Sequence, residues 1–284
     1  MIISVASGKG GTGKTTVATS MALSLGSKVR ILDCDVEEPN VHLFLHPALD
    51  REIPVSVPVP VVKDDTCTRC GKCAQICRFN AIAVLGKVIL TFPELCHGCG
   101  GCTEVCPEKA IAEGERLVGV IETGRRDGIE FVHGKLRIGE AMSPPLIKAV
   151  TGYARPDMPN IIDAPPGTSC PVIAAIKNTD FVLLVTEPTP FGLHDLKLAV
   201  EAVRVLGIPH GLVINRSDIG DQHVRAYAEK INMPVLMEIP FDRKIATAYS
   251  NGVPVVEALP EWKDNFLKLY QRIVSIVEKR WASL

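Results

Sequence analysis

The stretch that most constrains this chain is its start, IISVASGKGGTGKTTVATSMALSL. A short apolar run, Ile2 to Ala6, reads as a buried strand. A glycine-rich loop follows, and then a stretch of helix formers. Gly8-x4-Gly13-Lys14-Thr15 is a phosphate-binding loop in the order such a loop needs, strand before and helix after. Its backbone N–H groups can cradle an anion at the helix N-terminus. The expected phosphate-binding residues are Gly8, Lys9, Gly10, Gly11, Thr12, Gly13, Lys14, Thr15 and Thr16. Lys14 is assigned to the β- and γ-phosphates and Thr15 to Mg²⁺.

The rest of the chain alternates strand and helix. Strands are expected at Ile2–Ala6, Val29–Asp33, Asn160–Asp163, Phe181–Thr186, Leu212–Asn215 and Val235–Ile239. They are short, apolar and β-branched, as buried parallel strands are. Helices are expected at Lys14–Gly26, Pro171–Asn178, Phe191–Leu206 and Pro260–Arg280. This alternation predicts an α/β fold with a doubly wound, mostly parallel sheet. Between 117 and 140, strand-like runs with glycine turns predict an antiparallel extension.

A second pattern interrupts the first. CTRCGKCAQICRFNAI begins at Cys67 and CHGCGGCTEVCPEKAI at Cys96, a constant shift of 29 residues. Each copy is C-x2-C-x2-C-x3-C, the spacing of bacterial two-cluster ferredoxins. Three thiolates on a tight loop can take three corners of an iron–sulfur cube, and the fourth reaches the other cube. One [4Fe-4S] set is then Cys67, Cys70, Cys73 and Cys106. The other is Cys77, Cys96, Cys99 and Cys102. Structural zinc is the competing reading, but three consecutive C-x2-C steps do not suit one tetrahedron. Arg78 stands where the ferredoxin pattern has proline, and Pro107 keeps it in the second copy. His97 reads as an exposed spacer, or as a donor tuning the second cluster. The expected domains are a discontinuous body, 1–62 and 116–284, and an inserted ferredoxin-like α+β domain, 63–115.

Lys9 adds specificity. A lysine so early in the loop, GKGGTGKTT, resembles the deviant-Walker-A ATPases, the MinD/ParA and nitrogenase-iron-protein group. The resemblance implies a dimer, of identical chains or of paralogues, in which Lys9 reaches the partner's nucleotide. VRILDCDVEEPN resembles the family's first switch, which implies that Asp35 orients the attacking water and Asp33 supports the metal site. NIIDAPPGTSCP resembles a Walker B strand, with Asp163 holding Mg²⁺ through water and Pro165-Pro166-Gly167 as the second switch. GLVINR places Asn215 at the adenine, and EIPFD places Pro240 against the base. The layout as a whole resembles MinD-superfamily ATPases with an inserted ferredoxin domain. It implies ATP/ADP, Mg²⁺ and two [4Fe-4S] clusters as cofactors.

Two thiols stand outside the repeat. Cys34 reads as a small buried side chain. Cys170 lies where the nitrogenase iron protein has a cluster ligand at its dimer face, so a shared site there is considered. The terminal stretch carries Phe266, Leu269, Tyr270, Ile273, Val277 and Trp281 at helical spacing and reads as a core helix rather than a membrane anchor.

Net charge is −1 over 284 residues, so no global field favours nucleic acid or an anionic membrane. The start lacks signal-peptide features. No apolar run approaches the roughly 18–20 residues of a membrane span. A cytoplasmic chain of an anaerobic or microaerobic prokaryote is expected, and ten cysteines then point to metal or redox chemistry. The reading of function is an ATPase coupling nucleotide state to electron transfer with a redox protein partner. The alternatives are an iron–sulfur carrier or scaffold and a positioning ATPase with a redox-sensing module.

Overall fold

A computed structural model describes residues 1–282. The strands in chain order are β1 (Ile2–Ala6), β2 (Val29–Asp33), β3 (Ala48–Val62), β4 (Ile82–Leu85), β5 (Val88–Thr91), β6 (Ile111–Arg126), β7 (Ile129–Leu136), β8 (Asn160–Asp163), β9 (Phe181–Thr186), β10 (His210–Asn215) and β11 (Val235–Ile239). Nine of them form one sheet in the order β11-β10-β9-β1-β8-β2-β7-β6-β3. Pairing is parallel from β11 to β7 and antiparallel across β7-β6 and β6-β3. The six expected strands form the parallel part, and β6 with β7 form the expected antiparallel extension.

Each face of the sheet carries its own core, as a doubly wound fold requires. On one face Leu146, Val172, Leu196 and Val224 bring helices down on Leu32, Ile162, Leu184 and Ile214. On the other, Val17 and Met21 share a core with Phe266, Leu269, Ile273 and Val277. The Trp262–Trp281 helix is therefore a core helix, as its spacing predicts. Trp281 departs from that pattern, being 56% exposed at the last turn. Among the described residues no helix is long and apolar enough to cross a membrane.

Strand β3 carries Pro54, Pro58 and Pro60, which conceal it in the sequence. It forms the outer edge of the sheet. The three prolines fall on alternate positions, so each missing N–H faces outward and no ladder bond is lost. The β6–β7 turn is made by Asp127 and Gly128, both at positive φ, as a two-residue hairpin requires.

The junction expected at 115–116 falls inside β6, which runs unbroken from Ile111 to Arg126. The cysteine segment is thus carried on two long strands that belong to the main sheet at their other ends. Between them lie the β4–β5 hairpin and two short helical turns, Lys72–Ile76 and Gly101–Glu104.

Candidate functional site

After β1 the chain turns through residues 7–13 into the Lys14–Leu25 helix. Close approach dictates two of the loop's glycines. A Cβ at Gly8 would meet the Asp195 carbonyl oxygen at 2.3 Å, and one at Gly13 would meet Asn215 Nδ2 at 2.5 Å. Gly13 also has φ 95°, which an L side chain rarely adopts. The loop opens onto a cleft of about 550 Å³ lined by Gly10, Gly11, Gly13, Lys14, Thr15 and Thr16. Asp35, Pro166, Asn215 and Pro240 line it too. This is the size of a small-molecule site.

The charged end of the cleft is built by strand ends. Asp33 and Asp163 are paired in register at the ends of β2 and β8, and both are fully buried. Lys14 Nζ stands 3.8 Å from Asp163 Oδ1 and 3.9 Å from Asp35 Oδ2. Thr15 Oγ1 donates to Asp163 Oδ2 at 2.6 Å. Burial raises the Asp163 carboxyl above its ordinary range, against the pull of Lys14 and the Thr15 hydroxyl. Asp35 is pushed up to about 6, first by burial, with Lys14 opposing and Asp163 adding to the rise. Two carboxylates thus share one lysine, with the Asp33 carboxyl beside Asp163. Asp163 Oδ1 is buried without a hydrogen-bond partner. An unmatched buried oxygen in an excess of negative charge, beside a hydroxyl, fits a hard divalent cation such as Mg²⁺.

Neither Asp33 nor Asp163 is among the residues that line the cleft. Asp33 Oδ1 accepts the N–H of Asp35 at 3.0 Å, and its Oδ2 accepts those of Asn40 and Val41 at 3.0 Å each. Those three bonds shape the 34–40 loop, so Asp33 also positions Asp35. Burial, then the neighbouring Asp163, raises its carboxyl well above the usual range.

Other expected residues are distributed around this centre. Asn215 Nδ2 donates to the Thr12 carbonyl at 2.9 Å, so the side chain expected at adenine also ties β10 to the phosphate loop. Gly167 N donates to the Ser7 carbonyl at 2.9 Å, joining the second-switch segment to the same loop. Lys9 and Thr12 do not line the cleft. Thr12 is buried, and Lys9 is half-buried beside the loop's mouth.

The cysteines gather into two recesses. Cys67, Cys70, Cys73 and Cys106 line one, and Cys77, Cys96, Cys99 and Cys102 line the other. These are the crossed sets that the spacing predicts. The duplication extends to the backbone. Arg69 N and Gly98 N reach Cys67 Sγ and Cys96 Sγ at 3.4 Å each. Ala81 N and Ala110 N reach Cys77 Sγ and Cys106 Sγ at 3.3 Å each. Positive φ recurs at Arg69 and Gly98, Gly71 and Gly100, and Asn80 and Lys109. Among the described residues no three His, Cys, Asp or Glu side chains converge on a single metal ion. His97 is exposed and stacks on Phe79 at 3.6 Å between ring centres. Cys34 is fully buried, as expected, and Cys170 is exposed at a helix start.

Residues 3–255 match the CobQ/CobB/MinD/ParA nucleotide binding domain. The chain belongs to that family. It is 31% identical over 283 residues to an uncharacterised protein of Methanocaldococcus jannaschii, covering 98% of each chain. It is 26% identical over 295 residues to a protein of the same organism named iron-sulfur cluster carrier protein, covering 97% of this chain and 84% of the relative. Its fold is similar to that of the septum site-determining protein MinD of Pyrococcus horikoshii, solved with Mg-ADP, at 21% identity and TM-score 0.61. That match covers 96% of this chain and 95% of the other.

Several residues of this MinD/ParA-family cleft escape the sequence reading. Glu38 and Asn40 reach it from the first-switch loop, Arg216 follows Asn215, and Tyr249 and Trp262 close its far wall. Glu38 and Arg216 sit beside motifs already singled out, which is the signal available for them. Tyr249 and Trp262 carry none, because only the packing of the C-terminal helices brings them to the first helix.

Proposed function

We propose that this MinD/ParA-family chain binds MgATP in the cleft, hydrolyses it as a dimer, and couples nucleotide state to electron transfer through two [4Fe-4S] clusters. The observation that carries the reading is the gathering of eight cysteines into two crossed sets, in a segment held between two strands of the sheet that also bears the cleft. Lys14 and the N–H groups of the loop hold the phosphates. Thr15 and Asp163 hold the cation, Asp163 through its unpartnered Oδ1. Asp35, 3.9 Å from Lys14, accepts a hydrogen bond from the attacking water and orients it. Asn215 and Pro240 take the base, and Lys9 serves the partner's nucleotide. When bound, Mg²⁺ neutralises phosphate charge and each cluster exchanges one electron. The cysteine residues and their amide donors hold the clusters and set their environment.

The test is anaerobic purification with iron and sulfide counting, followed by phosphate release by oxidised and reduced protein. About eight irons per chain are expected, with a hydrolysis rate or cluster potential that differs between nucleotide states. Zinc in place of iron, or no dependence in either direction, would end this reading.

A second reading, delivery of a cluster to other proteins, is favoured by relatives named iron-sulfur cluster carrier proteins. Here the cluster is cargo. Exposed Cys70 and Cys99 would be its points of release. Transfer of iron and sulfide to an apo-protein, faster with one nucleotide than another, would select it.

A further inference from the structure

Strand β6 changes neighbours part-way along. From Gly119 onward it pairs with β7, whereas residues before that pair only with β3. A bulge marks the change: Val55 faces Gly119 and Ser56 faces Leu117, leaving Val118 as the extra residue. The place that β7 vacates beside β6 is filled by the 137–143 loop. Arg137 N donates to the Val118 carbonyl at 2.9 Å.

This loop touches both functional regions. Towards the nucleotide cleft, Ser143 Oγ donates to Glu37 Oε1 at 3.2 Å, and Leu136 N donates to the Val36 carbonyl at 2.9 Å. Glu37 and Val36 directly follow Asp35. Towards the cysteines, Glu140 is ion-paired with Arg116 Nη1, while Arg116 Nη2 donates to the Cys96 carbonyl at 3.2 Å. Glu140 Oε1 also accepts Met142 N at 3.0 Å, next to Ser143. The side chain of Glu140 is 1% exposed and that of Arg116 is 7% exposed. Polar contacts, joined once through the Met142–Ser143 backbone, thus run from Glu37 to a cysteine of the second recess.

We propose that Arg116 and Glu140 are a positioning relay that transmits the conformation of the 34–40 loop to the second cysteine loop. The inference rests on the reading that the cleft takes a nucleotide whose state moves that loop. The physical ground is the cost of leaving a buried charge unpaired. If Ser143 is drawn with Glu37, the Met142–Ser143 backbone shifts under Glu140. Arg116 must then follow its carboxylate, and its second nitrogen carries the Cys96 carbonyl along. The planar fork of arginine serves two acceptors at fixed geometry, which a lysine ammonium does not.

The test uses the full chain purified without oxygen, saturated with ADP or with a non-hydrolysable ATP analogue, and read by amide hydrogen exchange. In the native chain, changing nucleotide should alter exchange several-fold both at 34–40 and at 94–101. Arg116→Lys retains a cation for Glu140. It should keep the response at 34–40 and lose most of it at 94–101. Ser143→Ala cuts the other end with little risk to folding and should do the same. A native chain responding at 34–40 alone, or variants that still respond at 94–101, would overturn the relay and leave the nucleotide reading standing. A chain responding at neither segment would overturn both.

Discussion

Asp33 and Asp163 lie side by side in register on β2 and β8, both fully buried, with Lys14 3.8 Å from the second. Like charges at that spacing disfavour each other, and burial adds to the cost. The arrangement is held by the fold and is relieved by a cation.

Asp163→Asn removes one of the two buried charges. The chain without nucleotide should be at least as stable as the native protein, judged by its denaturant midpoint. Magnesium-dependent nucleotide binding should fall by about 10–100-fold, the usual loss for a residue that holds a metal through water. Isothermal titration with and without Mg²⁺ checks the binding part. A variant that is less stable and still binds MgATP normally would contradict the assignment.

Asp35→Asn acts on a different step. Asp35 lines the cleft, and its side chain is 14% exposed. Losing the group that orients water should lower the turnover of phosphate release by about 10²–10⁴-fold. The dissociation constant for MgATP should change little. Parallel loss of binding would move Asp35 from hydrolysis to nucleotide capture.

The crossed cysteine sets make a prediction that pairing by sequence copy does not. Cys106→Ser should damage the same cluster as Cys67→Ser, and Cys77→Ser the same one as Cys96→Ser. Each variant should lose about half the iron, because each cluster has its own four thiolates. Electron paramagnetic resonance of the reduced variants separates the two signals. If Cys106→Ser instead matches Cys96→Ser, the crossing is wrong.

The β6–β7 hairpin should make stability depend on pH. His133 Nε2 and Glu122 are in contact, and Lys135 Nζ lies 2.8 Å from the same carboxylate oxygen. Burial lowers the His133 pKa and outweighs the opposing effect of Glu122, so the ring is neutral rather than half of an ion pair. Burial alone would raise Glu122, but hydrogen bonds from Lys135 and His133 hold it below its ordinary value. Both folded pKa values are therefore depressed, and between the folded and unfolded values the unfolded chain binds more protons. The contribution of His133 is complete above about pH 6.5 and declines below it. That of Glu122 is complete above about pH 4.5 and declines below it. The raised carboxyls of Asp33, Asp35 and Asp163 act in the opposite sense, so the comparison is with His133→Gln, which keeps them. On acidification from pH 8 to 5 the urea midpoint of the native chain should drop relative to that of His133→Gln; a difference that stays constant or moves the other way would refute the assignment.

The legible parts of the fold are those whose signal is local. The strand–loop–helix start, the apolar β-branched strands and the paired cysteine motifs each occupy a short window. Strand β3 was not legible because proline normally argues against a strand, and only its edge position makes Pro54, Pro58 and Pro60 harmless. The start of β6 is not legible because Glu113 and Glu115 make its first half look like a polar exit loop. The amide partners of Asp33 are not legible, because spacing shows that a carboxylate ends the strand and does not show which N–H groups it meets.

The amino-acid order by itself determined the chemistry available to this protein: a phosphate loop, carboxylates at strand ends and two sets of four thiols. Those depend on residue type and on spacing over a few positions, where the chain has little freedom. The tertiary structure alone decided which groups face one another. It set Asp33 against the amides of Asp35, Asn40 and Val41, brought Tyr249 and Trp262 to the cleft that the first helix opens onto, and set Arg116 between Glu140 and Cys96. Those neighbours are distant along the chain, and burial of two cores against one sheet, rather than any local preference, fixes their distances.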